Sequence, residues 1–120
     1  MIIEEYLIQN LSALLTDTPV YGDVPSPVPR QLVTIEKTGS EERNHIITAT
    51  VAIQSWSDSR YNAAVLNQKV KQAMQKIAIL KEIARIECIS DYNYTDNVTQ
   101  NSSRKNRYQT VFEVTYYERS

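Results

Sequence analysis

The sequence predicts an α+β fold, a two-layer sandwich in which two helices cover one face of a four-stranded, mainly antiparallel sheet. Two segments repeat apolar residues at helical spacing, and four others alternate apolar and polar residues as strands do. These segments follow one another in the order α-β-β-α-β-β. The chain has 120 residues, so we expect a single domain over residues 1–120.

Both helices are predicted from apolar stripes. The first runs over Ile2–Thr16, and its two adjacent glutamates near the start suit the positive end of a helix dipole. Asp17–Pro29 contains all four prolines and must be largely extended, with room for a short strand at Val20–Tyr21. The second helix begins near Arg60, after a Ser-Asp-Ser run that offers N-cap residues, and ends near Leu80. The apolar stripe of this second helix comprises Ala63, Leu66, Val70, Ala73, Met74 and Ile77.

The four predicted strands form two hairpins. In the first hairpin, strands Gln31–Lys37 and His45–Ser55 flank a polar loop with a turn glycine, Gly39. In the second, strands Ala84–Tyr94 and Tyr108–Glu118 flank a polar loop over Thr95–Asn106. That loop ends in a basic cluster, which we define as Arg104, Lys105 and Arg107.

Composition excludes several classes of protein. The net charge is −1, which does not suit a general nucleic-acid binder. Apolar runs are too short for a transmembrane helix, and Met1–Glu5 lacks the basic start of a signal peptide, so a cytosolic protein is expected. One cysteine, one histidine and two glycines exclude disulfide frameworks, multi-cysteine or multi-histidine metal sites and glycine-rich phosphate loops. We therefore expect no cofactor and no metal.

Candidates for catalysis are few. Cys88 and His45 could form a nucleophile and base, but Cys88 lies in an alternating strand, where cysteine usually packs as a small apolar residue. His45 borders a charged loop, which predicts a solvated side chain. Asp58, Asp91 and Asp96 could bind a hard cation, yet they lack the spacing of a calcium loop. The sequence therefore favours a protein that is not an enzyme.

Tyrosine is unusually frequent, with eight residues against one phenylalanine. Five of the eight, including Tyr92 and Tyr94, belong to the second predicted hairpin. Packing across the hairpin is the first interpretation, and a protein interface is the second. The third is a small nucleic-acid-binding module that stacks bases on these tyrosines beside the basic cluster.

Three blocks carry a resemblance to a known family. Pro29–Gly39 resembles a strand pattern P-x-x-h-V-T-h-x-[RK]-T-G, in which h is an apolar residue, although Ser40 stands where a second glycine is common. Val51–Arg60 resembles V-x-h-x-x-W-[AS]-x-S-[RT], a strand that runs into a helix. Arg107–Val114 resembles a closing R-Y-Q-x-h-h-x-h strand. Together the blocks resemble those of tail terminator proteins (tail completion or minor tail proteins) of long-tailed phages and prophages.

The resemblance implies a structural role in virion assembly. Such proteins form a ring, usually of six subunits, that caps the tail tube and joins it to the head–tail connector. DNA passes through the ring without sequence-specific contact, no membrane is involved, and the protein acts in the host cytoplasm and the virion neck. Interface candidates are then Glu41, Glu42, Arg43, Arg104, Lys105, Arg107, Tyr92 and Tyr94, and junction residues are Gly39, Trp56 and Ser59. Because Glu41 and Glu42 oppose the basic cluster in charge, the two could complement each other between subunits.

Overall fold

The computed structural model describes residues 1–96 and 105–117, with residues 93–96 and 105 described in their backbone alone. It contains two helices and five strands in this order: α1 (Ile3–Leu14), β1 (Val20–Tyr21), β2 (Leu32–Arg43), β3 (Ile46–Ser57), α2 (Arg60–Ile77), β4 (Ile83–Asp96) and β5 (Lys105–Tyr117).

The sheet has five strands in the order β1-β2-β3-β5-β4, so the predicted four-stranded sheet in the order α-β-β-α-β-β is wrong. The additional strand is β1, which pairs with β2 in parallel through Val20 beside Val33 and Tyr21 beside Thr34. The Val33 N–H also donates to the Pro19 carbonyl, at 3.0 Å. Proline cannot donate to a ladder but can accept, which lets a proline-bounded segment join the sheet at its edge. The sheet is therefore mixed, while its other three pairings are antiparallel.

The first hairpin is longer than predicted. β2 continues to Arg43 and β3 begins at Ile46, so the predicted loop over residues 38–44 is almost entirely strand. The connection is a two-residue turn, Asn44 and His45, with φ of 51° and 66°. Two consecutive positive φ angles are the mark of the tight turn whose twist matches paired antiparallel strands. Gly39 lies at a β-bulge between Lys37 and Gly39 rather than in a turn.

The second hairpin also extends beyond its predicted ends. β4 and β5 pair from Ile83 beside Tyr116 to Asp96 beside Lys105. A second β-bulge lies in β4 between Cys88 and Ser90. Part of the predicted polar loop is therefore strand, and Arg107 belongs to β5.

The core lies between the sheet and the helices. Helix α1 buries Ile3, Leu7 and Leu11, and α2 buries all six residues of its predicted apolar stripe. Apart from Ala63, these side chains share one cluster with residues from every second position of β3 and β5, so both helices cover the same face. Within the described ranges, neither helix is long and apolar enough to cross a membrane.

Candidate functional site

The face of the sheet opposite the helices, which we call the open face, carries a hydrogen-bonded chain of polar side chains. The buried Trp56 Nε1–H donates to Thr34 Oγ1 at 2.9 Å, and the Thr34 hydroxyl donates to Gln54 Oε1 at 2.7 Å. Gln54 Nε2 then donates to Gln109 Oε1 at 2.9 Å, and Gln109 Nε2 donates to the Tyr92 hydroxyl. This hydrogen-bonded network of side chains thus crosses β2, β3, β5 and β4. Because each link lies across neighbouring strands, it fixes side chains from four strands relative to one another.

Arg107 covers the indole of Trp56. Its guanidinium carbon lies 4.6 Å from the centroid of the Trp56 ring, in the range of a cation–π contact. The two residues sit directly opposite each other on β5 and β3. Burial lowers the pKa of Arg107 below its ordinary value, while the potentials of Tyr92 and Glu36 oppose that shift. The group remains a cation, since arginine does not deprotonate in proteins.

A groove of about 330 Å³ lies beside this pair. One wall is the segment 22–24 that follows β1, and the other includes Glu36, Gln54 and Arg107. The groove thus combines one cation with the carboxylates of Asp23 and Glu36 and the covered indole. The lining is therefore mostly polar and carries charges of both signs.

A second polar cluster lies on the helical side of the sheet. Buried Asn67 Nδ2 donates to Asp91 Oδ1 at 2.8 Å, and Lys71 Nζ donates to Asp91 Oδ2 at 2.8 Å. The Thr110 hydroxyl donates to Asn67 Oδ1 at 2.8 Å. Desolvation raises the pKa of Asp91. The hydrogen bonds from Lys71, Asn67 and Thr110, together with the charge of Lys71, outweigh it and hold that pKa below its ordinary value. The cluster is a satisfied structural network that ties α2 to β4 and β5.

The junction between β3 and α2 is built as the sequence predicts. Ser59 is the N-cap of α2, and its Oγ accepts a hydrogen bond from the Asn62 N–H at 3.1 Å. Beside it, Arg30 Nε lies 2.7 Å from Asp58 Oδ2. This hydrogen bond from Arg30, with a second from Asn62, lowers the pKa of Asp58. Trp56, near the end of β3, is 5% exposed and therefore almost fully buried.

The acidic interface candidates and Arg107 lie toward opposite ends of β3. Glu41, Glu42 and Arg43 are exposed on β2 near the Asn44–His45 turn. Glu41 lies beside Thr48, whereas Arg107 lies beside Trp56, eight residues further along β3. At the rise of an extended strand, eight residues span about 27 Å. Glu41 and Arg107 therefore do not meet within one molecule.

The remaining candidates are only partly described. Tyr92 is 47% exposed on the open face. The backbones of Tyr94 and Lys105 lie in paired strands, beside Arg107 and Asp96 respectively. Arg104 lies outside the described residues. Two other tyrosines of the hairpin differ in burial: Tyr116 is buried in the core, whereas Tyr117 is exposed. The first therefore packs within the fold, and the second could contact a partner.

The structure does not bring together the groups considered for catalysis. Cys88 is exposed on β4, so its predicted burial is wrong. It lies beside Phe112, while exposed His45 adjoins Ile46, which lies beside Tyr117. Five residues along β5 correspond to about 17 Å. In the described part of the chain, no group of three or more His, Cys, Asp and Glu side chains could hold a metal ion.

Comparison with known proteins adds no identification. No protein-family model matches the chain, and no curated protein matches it significantly.

Proposed function

We propose that this chain is a tail terminator of a long-tailed phage or prophage, a structural protein that forms a ring on the tail tube and joins it to the head connector. DNA passes through the ring. The proposal rests first on the resemblance of three sequence blocks to that family. It names a role in self-association and docking, not in catalysis.

One observation supports the proposal most strongly. The three blocks lie far apart in the sequence, yet their most distinctive residues meet on the open face. Thr34 of the first block accepts from Trp56 of the second, and Trp56 stacks under Arg107 of the third. Gln109, also of the third block, continues the hydrogen-bonded chain. This convergence of residues from three separate blocks on one face of the sheet supports the proposal.

The mass and shape of the particle in solution test the proposal. Light scattering is expected to give a multiple of the 13.8 kDa subunit mass, and negative-stain images are expected to show rings with a central hole. A single-subunit mass at every concentration, with no ring in the images, would contradict it.

A second function is favoured by one surface feature. Exposed Tyr92 lies near Arg107 on the open face, and an aromatic ring beside a cation can stack a base of single-stranded nucleic acid. Fluorescence anisotropy with a labelled oligonucleotide at two salt concentrations tests this module. Tyr92→Ala should then weaken binding. Tyr61→Ala is the control and should not, because this tyrosine is also exposed, at 76%, but it lies on α2, on the side of the sheet away from the open face. Salt-dependent binding by a monomer would replace the tail terminator proposal.

A further inference from the structure

The sheet ends on both sides in strands whose outer edges face no other strand among the described residues. β4 is the last strand on one side. On the other side β1 pairs only with Val33 and Thr34, so among the described residues no strand pairs with the outer edge of β2 from Ile35 onward. Unpaired strand edges present rows of N–H and C=O groups that favour pairing with another chain.

The directions of these two edges suit a head-to-tail contact. β2 is antiparallel to β3, β3 to β5, and β5 to β4. It follows that β2 and β4 run in opposite directions. A rotation about an axis parallel to the strands preserves those directions, so β2 of one copy meets β4 of the next as an antiparallel pair.

The two bulges give the edges equal length. At one end, Ile35 on β2 and Asp91 on β4 belong to the same cross-strand row, because each is linked to the other through the paired residues Ile53 and Thr110. At the other end, Glu41 and Arg85 share a row in the same way, through Thr48 and Thr115. Between these two rows, β2 has five residues, 36–40, and β4 also has five, 86–90. The inner strands have four, residues 49–52 and 111–114.

Each outer strand thus holds one extra residue, and the extra residues lie at neighbouring levels. A bulge on one edge alone would shift the register and turn side chains to the wrong face. With one on each edge, Ile35–Glu41 can pair with Arg85–Asp91 residue for residue.

Charge at the end of this register is complementary. Glu41 and Arg85 would lie directly opposite each other, on the same face of the sheet. The Arg85 side chain is 67% exposed and forms a surface ion pair with Glu87 at 2.6 Å. A surface pair of this kind contributes little by itself, so Arg85 is available to a neighbouring carboxylate.

We propose that the β2 edge of one copy pairs with the β4 edge of the next, which joins the sheets of neighbouring subunits into one continuous ring. The partner is a second copy of this chain. Because the contact uses two different edges, it is heterologous and closes into a ring when the rotation closes. The inference rests on the proposed ring and names the interface that builds it.

A cysteine cross-link tests the register. Cys88 is the single cysteine of the chain, and in the proposed pairing it lies opposite Thr38 of the neighbour. Thr38→Cys therefore creates one cross-linkable pair at every interface. Mild oxidation, or a short bismaleimide, is expected to give a ladder of covalent multimers up to the subunit number of the ring. Lys76→Cys, on the exposed side of α2, is the matched control and should give no ladder.

A charge exchange provides an independent measurement. Glu41→Arg and Arg85→Glu should each reduce the assembled fraction in light scattering, and the double variant should restore it. Circular dichroism checks that each variant is folded.

The outcomes separate the interface from the ring. Rings without a cross-linked ladder, or cross-linked dimers of the wild type through Cys88 alone, would overturn the edge contact and leave the tail terminator proposal standing. A monomer at all concentrations, with no cross-linking, would overturn both.

Discussion

Trp56 connects three strands through its own side chain. Its indole N–H bonds to Thr34 on β2, and its ring lies under Arg107 on β5. The residue is almost fully buried although it faces away from the helices. The open face therefore has a small core of its own at this end of the sheet.

Removing this side chain should be costly. We expect Trp56→Ala to lower the free energy of unfolding by about 3–5 kcal/mol, as for other fully buried tryptophans. Trp56→Phe keeps most of the ring and loses the bond to Thr34, so its cost should be nearer 1 kcal/mol. Urea unfolding followed by circular dichroism measures both. Equal effects of the two substitutions would show that the ring itself contributes nothing.

Asp91 should make the stability of the fold depend on acid pH. Its pKa is held below the ordinary value of 3.8, so its ionised form stabilises the folded state at neutral pH. That contribution is lost as the pH falls from the ordinary value through the lower pKa of the folded state. Asp91→Asn should therefore destabilise the protein more at pH 7 than at pH 2, in urea unfolding at both values. The same difference at both pH values would contradict this role.

Individual positions differ in how far the sequence predicts them. Asn67 lies four residues after Ala63 and three before Val70, within the apolar stripe of α2. This helical spacing alone indicates that Asn67 faces the core. Its partners Asp91 and Thr110 could not be predicted, because they come from strands whose pairing the local sequence does not specify. Cys88 was misplaced because alternation alone cannot distinguish a central strand from an edge strand.

At the level of elements, the amphipathic segments were predictable and the polar ones were not. Both helices lie within two or three residues of their predicted ends. Residues 36–43 of β2 are exposed on both sides; without a buried face to mark them, residues 38–43 were predicted as a loop. β1 lies where a short strand was expected, at Val20–Tyr21. With two residues it has no periodic pattern, so it was not counted in the sheet and the strand count was wrong.

The Asn44–His45 turn offers a test of the first hairpin. Histidine at a φ of 66° is strained, whereas glycine adopts this conformation freely. We expect His45→Gly to raise the free energy of unfolding by about 0.5–1 kcal/mol. Glu42→Gly is the control: within a strand, glycine should destabilise by a similar amount. Chemical unfolding of both variants measures the two changes, and a loss of stability in His45→Gly would contradict the turn.

For the whole molecule, the sequence predicted two layers but not which strands form the two edges of the sheet. Strand order depends on contacts between segments far apart in the chain, such as β3 with β5. The marking residues of the candidate site were visible in the sequence as three blocks. Their convergence on one face was not, because it depends on that strand order.

Assembly should make thermal stability depend on concentration. A folded subunit that binds its neighbours is stabilised by mass action, and the unfolded chain is not. We therefore expect the Tm to rise with protein concentration, measured by scanning calorimetry over a hundredfold dilution series. The Glu41→Arg variant should show a weaker rise. A Tm that is independent of concentration would indicate a monomer.

The paired bulges couple two length changes that lie about fifty residues apart in the chain. Deleting Thr38 would make β2 regular against β3 and leave the subunit folded, but the subunit would no longer match an unaltered neighbour. Deleting Ile89 as well should restore the match, and the particle mass of the single and double deletions checks this. In relatives of this chain, a residue lost from one of these strands should accordingly be accompanied by a loss from the other.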